Sequence, residues 1–312
     1  MNASSRGPMI TRTDKKIILE LQKNGRASYA ELASKLGISV STVASRTEKL
    51  IRSRVIEIRA VPNPYKMGLT ANALIAVKAE PSKVDRICER LVDNFFISTV
   101  TTVFGRYDIL IIVHFPAWEM MHDFINKDLS RIDGVLRVES YYLNEFKKRY
   151  QRIFSKDSST RRPFRLKDSE KTLIEELAKD GRKNIREIAE KIRIHVSTVS
   201  RRIHALVEED VFKIVAVPNP QSFGYGSNAF ISLDVEASKV DQICEDLFSY
   251  PEIVVMTTLV NGSGVMLGIQ TINNEMLYRF IKEKIARIKG VQETETLITA
   301  ELKKRSYGWY LE

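Results

Sequence analysis

The sequence predicts an α+β chain built as two copies of one unit, each a winged helix-turn-helix domain of three helices followed by a βαββαβ ferredoxin-like domain. Three observations lead there. Residues Thr11 to Tyr150 recur as Lys167 to Ser306 at a constant shift of 156 positions, without insertion or deletion. Val-Pro-Asn-Pro stands at Val61 to Pro64 and again at Val217 to Pro220, and Ser-Lys-Val-Asp at Ser82 to Asp85 returns at Ser238 to Asp241. Such a repeat is far longer than the roughly 20 to 50 residues of a solenoid unit, so each copy is a complete protomer. The second observation is a change of period, from helical spacing in the first third of each copy to alternating strand and helix patterns after it. The third is charge: residues 1–59 carry 12 Lys and Arg against 5 Asp and Glu, and residues 156–215 carry 15 against 11, whereas residues 216–312 are net acidic.

The domains that follow are a helix-turn-helix domain at 1–60, a first ferredoxin-like domain at 61–150, a linker at 151–166, a second helix-turn-helix domain at 167–216 and a second ferredoxin-like domain at 217–312. No apolar run approaches the roughly 20 residues that span a bilayer, and Met1 to Arg12 lacks the apolar stretch of a secretion signal, so a cytoplasmic protein without a membrane partner is expected. The net charge of +10, concentrated in the first third of each copy, points to a polyanion, because each neutralised phosphate releases a counterion.

In the first copy, Ile17, Ile18 and Leu21 make one face of a helix over Asp14 to Asn24. Ser28 and Glu31 have capping-box spacing and open a second helix with Leu32, Ala33 and Leu36 inward, which stops at Gly37. Ser39 caps a third, running to about Ser53 with Val43, Thr47, Leu50 and Ile51 inward. Helix, tight turn, helix is the helix-turn-helix pattern. The outward face of the third helix, Ser41, Thr42, Ser45, Arg46 and Lys49 with the cap Ser39, is the candidate double-stranded DNA reader, since short hydroxyls admit close approach and Arg reaches guanine or phosphate. In the second copy the corresponding face is Ser197, Thr198, Arg201 and Arg202. There Arg193 replaces the turn glycine and His195 the capping serine, so a weaker or differently specific reader is expected.

After a strand at Ile56 to Val61 and a turn at Pro62 and Pro64 come a strand (71–79), a helix (82–94), strands at 98–104 and 108–115, a helix (118–131) and a strand (135–143). Met120, Phe124, Ile125, Leu129 and Ile132 read as the buried stripe of the second helix, matched by Met276, Phe280, Ile281, Ile285 and Ile288. Ile109 to Val113 is apolar without alternation, so both faces of that strand should be covered. Two helices cover one face only. The other should meet the sheet of the second copy, making an intrachain pseudo-dimer with a pseudo-two-fold axis, and a higher homo-oligomer of such chains is also expected. Cys88 and Cys244 are repeat equivalents in apolar helical stripes and read as buried thiols. No catalytic residue, metal ligand or cofactor is nominated.

The Ser39 to Arg46 stretch, the Val55-Ile56 exit, Gly105-Arg-Tyr-Asp108 and Gly134-Val135, in this order and largely twice, resemble the Lrp/AsnC family of transcription regulators, whose ferredoxin-like domain is termed RAM. The resemblance implies DNA binding through the helix-turn-helix, pairing through the sheet domain, and sensing of an amino acid or related small molecule. It nominates Gly105, Tyr107 and Asp108 as effector contacts, with Asp108 pairing an ammonium group. The second copy has Asn261, Gly262, Ser263 and Gly264 there, which implies an altered or lost effector site. Family members commonly have glycine before the exit strand, whereas this chain has Arg54 and Asp210. Two alternatives remain: a fused siroheme decarboxylase-like enzyme of the same architecture, and a metabolite-binding protein that has lost DNA binding. The decarboxylase chemistry calls for basic, protonatable side chains on the sheet, and Thr99 to Thr102 and Val255 to Thr258 offer hydroxyls and methyls.

Overall fold

The computed structural model describes residues 10–148, 164–260 and 264–305. In the first copy the elements are α1 (Arg12–Lys23), α2 (Tyr29–Leu36), α3 (Val40–Arg52), β1 (Ile56–Pro62), β2 (Ala71–Ala79), α4 (Val84–Val92), β3 (Ile97–Phe104), β4 (Ile109–Phe115), α5 (Trp118–Asp123) and β5 (Val135–Lys148). The second repeats them as α6 (Asp168–Lys179), α7 (Ile185–Ile192), α8 (Val196–Glu208), β6 (Phe212–Pro218), β7 (Ser227–Val235), α9 (Val240–Phe248), β8 (Ile253–Leu259), β9 (Gly264–Thr271), α10 (Asn274–Phe280) and β10 (Val291–Arg305). Two compact units result, and neither is one copy. One gathers both three-helix modules with their exit strands, the other both sheet domains.

In the helical unit, α1 starts two residues before the expected Asp14, because Thr11 and Asp14 form a reciprocal capping box there. At α2 only half of the expected box forms: the Ser28 hydroxyl accepts from the Glu31 N–H, while the Glu31 carboxylate turns to Lys35, 2.9 Å away. Gly37 takes the left-handed conformation (φ 66°) that ends α2. Ile17, Ile18, Leu21, Leu32 and Val43 fill the module core and Leu36 is half-buried, whereas Ile51, expected to point inward, is exposed. The exit strands then join the modules: β1 pairs antiparallel with β6, from Ile56 opposite Pro218 to Pro62 opposite Phe212. Each first helix packs on the other copy's strand, α1 on β6 and α6 on β1.

Sheet order in the other unit is β10-β3-β4-β2-β5-β8-β9-β7, closed into a barrel. Each copy supplies a four-stranded antiparallel run, and the long last strand of each crosses to the other copy. β5 pairs with β8 (Leu143 opposite Leu259, Phe146 opposite Thr257), and β10 pairs with β3 (Ile298 opposite Phe104). Lys147 reaches Asp241 and Lys303 reaches Asp85, each at 3.0 Å, so equivalent ion pairs brace both crossings. The expectation that β4 is covered on both faces holds. Ile109, Ile111, Val113 and Phe115 enter the core under the helices, while Leu110 enters a second core shared with Leu259, Met266 and Leu297 of the other copy.

One part of the expected helix stripe needs correction. Met120 and Met276 are exposed, and Met121 and Leu277 are buried in their place. After α5 and α10 the chain continues through π-helical turns, Phe124–Asp128 and Ile281–Ile285. A π turn holds one more residue than an α turn, so a stripe counted backward through it at α spacing lands one residue off. Cys88 and Cys244 are buried free thiols, and desolvation pushes both up to about 11.

Candidate nucleic-acid interface and effector loop

On α3, Ser41, Ser45 and Lys49 are exposed, and Thr42 and Arg46 are half-buried. Ser39 caps the helix by accepting from the Thr42 N–H, and its hydroxyl lies 3.0 Å from that of Ser41 and 2.8 Å from that of Thr42. Arg46 is already engaged: Nη1 donates to Thr11 Oγ1 and Asp14 Oδ1, both at 3.0 Å, tying the reading helix to the cap of α1. Burial raises the Asp14 carboxyl, but the Thr11 and Arg46 hydrogen bonds outweigh it and hold the group below the usual carboxylate range. The second copy keeps the bridge with Arg202 Nε 3.2 Å from Glu170 Oε1. Ser197 and Arg201 are exposed on α8, and Thr198 is half-buried. The freely presented polar set is therefore Ser41, Ser45 and Lys49 against Ser197 and Arg201.

Local backbone distinguishes the two readers. Arg193 takes the left-handed conformation at φ 55°, a strain of order 1 kcal/mol that Gly37 avoids in the first copy. His195 occupies the cap position of α8 and makes no side-chain cap hydrogen bond. Arg54 (φ 54°) and Asp210 (φ 58°) keep the left-handed exit turn in both copies, although neither is glycine. In the second copy, Lys213 holds Asp210 at 2.6 Å.

A reciprocal clamp escaped the sequence reading. Arg26 Nε donates to Gly181 O at 2.7 Å and Nη2 to Lys183 O at 2.9 Å, while Arg182 Nε donates to Gly25 O at 2.9 Å and Nη2 to Ala27 O at 3.1 Å. The Arg182 guanidinium also lies 5.1 Å from the centre of the Tyr29 ring. Gly25 N–H donates to Ile214 O and Gly181 N–H to Ile58 O, and a Cβ on Gly181 would meet the Arg59 backbone at 2.8 Å. The Gly-Arg dipeptide recurs at 25 and 181, but its recurrence within a unit that repeats throughout does not by itself mark a contact.

In the sheet unit, Gly105 (φ 134°) lets the loop lie on Leu297, whose Cδ2 would be 3.0 Å from a Cβ there. Tyr107 is fully buried; its hydroxyl donates to Glu139, and the Arg106 and Arg137 guanidinium groups each lie 5.4 Å from its ring centre. Glu139 also accepts from Tyr141 at 3.0 Å, and Tyr141 contacts Glu295, the repeat equivalent of Glu139, at 3.2 Å. Desolvation, together with these carboxylates, pushes the Tyr141 phenol strongly up. Asp108 accepts from the Ala79 N–H at 2.9 Å and pairs with Lys78 at 3.1 Å, so it already has an ammonium partner within the chain. The second copy changes both members together, with Asp234 for Lys78 and Gly264 for Asp108. Asn261, Gly262 and Ser263 lie outside the described residues, as does the linker except for its last three residues. The histidines divide by burial: His114 is buried and bonded to Asn72 and Ser98, His122 meets the Tyr142 hydroxyl at 3.2 Å, and His195 and His204 are exposed. Among the described residues no helix is long and apolar enough to cross a membrane.

Two family models match this chain, each twice. The one described as winged helix-turn-helix DNA-binding covers residues 10–57 and 166–213, and the one described as Lrp/AsnC ligand binding domain covers 72–152 and 228–309. An uncharacterised HTH-type transcriptional regulator of Pyrococcus horikoshii is 35% identical over 148 residues, 47% of this chain and 94% of the relative. The HTH-type transcriptional regulator FL11 of Pyrococcus furiosus is 36% identical over 142 residues, 45% of this chain and 93% of the relative. Among solved structures, the siroheme decarboxylase NirDL aligns over 95% of this chain and 94% of its own, with a TM-score of 0.62 and 16% identity, a likeness of fold.

Proposed function

The chain belongs to the Lrp/AsnC family, and from that premise we propose that it is a sequence-specific DNA-binding transcription regulator with two unlike reading helices on one polypeptide. The observation that carries this reading is the joining of the two helix-turn-helix modules through β1, β6 and the arginine clamps. A pair held in fixed relation suits a duplex with two half-sites about one helical turn, roughly 34 Å, or a multiple apart. Ser41, Ser45 and Lys49 would read one half-site and Ser197 and Arg201 the other, with non-identical sequences. Ser39, Thr42, Thr198, Arg46 and Arg202 would act mainly by holding those helices in place.

A small amino-acid-like effector at the sheet domain completes the proposal, with Gly105, Tyr107 and Asp108 as its candidate border. An ammonium contact to Asp108 would compete with Lys78, so effector binding and a change in that ion pair would be linked. Assembly of chains into a larger homo-oligomer belongs to the same proposal. The test is fluorescence anisotropy with genomic duplexes across a salt series. A specific complex should outlast the non-specific one as salt rises, and equal affinity for operator and random duplex at every ionic strength would overturn the reading.

The likeness to a siroheme decarboxylase motivates one rival. The hydroxyls on the matching strands are committed to strand pairing: Thr101 Oγ1 donates to Glu301 O at 2.8 Å, and Thr258 Oγ1 accepts from the Glu145 N–H at 3.2 Å. This favours a structural role for those threonines. A Soret shift on adding siroheme would favour the enzyme.

A further inference from the structure

In the second copy, two adjacent strands of the barrel and the turn that leads into a third carry neighbouring polar side chains. Asn228 on β7 is directly opposite Gln270 on β9, and the Gln270 N–H donates to Glu252 O at 2.8 Å, at the entrance to β8. Directly opposed residues of antiparallel strands project to the same face with Cβ atoms about 5 Å apart. Asn228 and Gln270 therefore share the face opposite to that of Ala229 and Ile269, which belong to the core under the helices, and Glu252 stands next to Gln270 in the turn before β8. Gln270 is 3% exposed. Asn228 Oδ1, Gln270 Oε1 and Glu252 Oε2 are all buried, and among the described residues no donor reaches any of them.

The first copy shows a closed version of this group. Its equivalents are Asn72, His114 and Phe96, with Ser98 where the second copy has Val254. His114 Nδ1 is bonded to Asn72 Oδ1, Nε2 lies 3.0 Å from Ser98 Oγ, and Phe96 stacks on Phe115 with ring centres 4.7 Å apart. The second copy thus exchanges an imidazole for an amide, a hydroxyl for a methyl group and an aromatic ring for a carboxylate. The hydroxyl-to-methyl exchange removes a donor and the ring-to-carboxylate exchange adds an acceptor, while the amide that replaces the imidazole brings an oxygen acceptor beside its own N–H2 group. A buried acceptor without a donor costs about 1–3 kcal/mol, and a cation is one partner that would satisfy all three oxygens at once. Two neutral amide oxygens and one carboxylate oxygen are the ligands of a hard, oxygen-seeking cation, which binds such groups together with water in flexible geometry.

We propose that Asn228, Gln270 and Glu252 form a calcium-type cation site that the first copy lacks. The site is independent of DNA reading and lies wholly within the sheet unit. Calorimetric titration of the full chain with Ca²⁺ tests it, with Mg²⁺ and K⁺ in parallel and thermal unfolding as a second readout. One Ca²⁺ per chain should bind and raise the unfolding temperature, with Mg²⁺ and K⁺ weaker. The double variant Gln270→His with Val254→Ser installs the first copy's imidazole and hydroxyl; it should stay folded and lose at least about tenfold in Ca²⁺ affinity, as should Glu252→Gln. No binding at millimolar Ca²⁺ would overturn the proposal, leaving the group to side-chain amides and water. So would undiminished binding in the folded double variant, or equal stabilisation by all three cations.

Discussion

The first and second reading modules share a backbone and differ in how it is held. In the first, Gly37 turns the chain without strain, Ser39 caps the reading helix and Thr11 joins Asp14 in anchoring Arg46. In the second, Arg193 occupies the same left-handed position, His195 leaves the helix start without a side-chain cap, and Lys167 stands in place of Thr11. What the second gives up in caps it recovers in charge. Glu176, with a side chain only 5% exposed, contacts Lys183 and also Lys191 at 2.5 Å, and these hydrogen bonds hold its carboxyl down at about 2. Glu20, its equivalent, is 17% exposed and meets Lys23 at 2.5 Å and Lys35 at 3.8 Å. The lesson is that doubling let two solutions to one packing problem coexist, provided that the shared clamp between them was kept.

Removing the clamp breaks the comparison most severely. Arg26→Ala with Arg182→Ala deletes four hydrogen bonds to the opposite copy's backbone, so affinity for a duplex carrying both half-sites should fall by about tenfold or more, as the second contact loses its effective concentration. Binding to a single half-site should change little, and anisotropy with the two duplexes separates these outcomes.

Acid sensitivity comes next. Because the folded carboxyl of Glu176 lies below its ordinary value of 4.5, its contribution is complete above that value and is lost as pH falls toward 2. Glu176→Gln should cost about 1–3 kcal/mol near neutral pH and flatten the decline of stability between those limits. Glu20→Gln should cost less, and chemical denaturation at stepped pH measures both.

The smallest effect sharpens the comparison. Arg193→Gly with His195→Ser rebuilds the first copy's turn and cap in the second module and should stabilise it by about 1–2 kcal/mol. Gly37→Arg with Ser39→His should lose a similar amount. Hydrogen exchange resolved to α3 and α8 would show whether each effect stays in its own module.

Much of this was legible in the chain itself. The repeat at a constant shift of 156 residues exposed the doubling, the period of Ile17, Ile18 and Leu21 marked a helix, and the unbroken run Ile109 to Val113 required two covered faces. Ser28 and Ser39 were readable as caps because a cap is a contact between near neighbours in sequence. Met120 was misplaced because a π turn leaves no mark in composition. The candidate site was legible as a list of residues and much less so as a set of contacts. Arg46 reads as an outward DNA contact from its position on the helix, yet Asp14 lies 32 positions away and claims it. Tyr107 and Asp108 read as pocket residues, and their partners Glu139 and Lys78 lie on other strands.

The amino-acid order alone determined the doubled α+β plan, the identity of each helix and most strands, and the uneven charge of the reading modules. These follow from local propensity and periodicity, which act within a few residues of each position. Only the tertiary structure decided that the helix-turn-helix modules also join across the copies, that β5 and β10 change sides, and that paired arginines lock the modules. Strand partners and backbone clamps more than a hundred residues apart are selected by the free energy of the whole barrel and the whole helical pair, and no local pattern carries that sum.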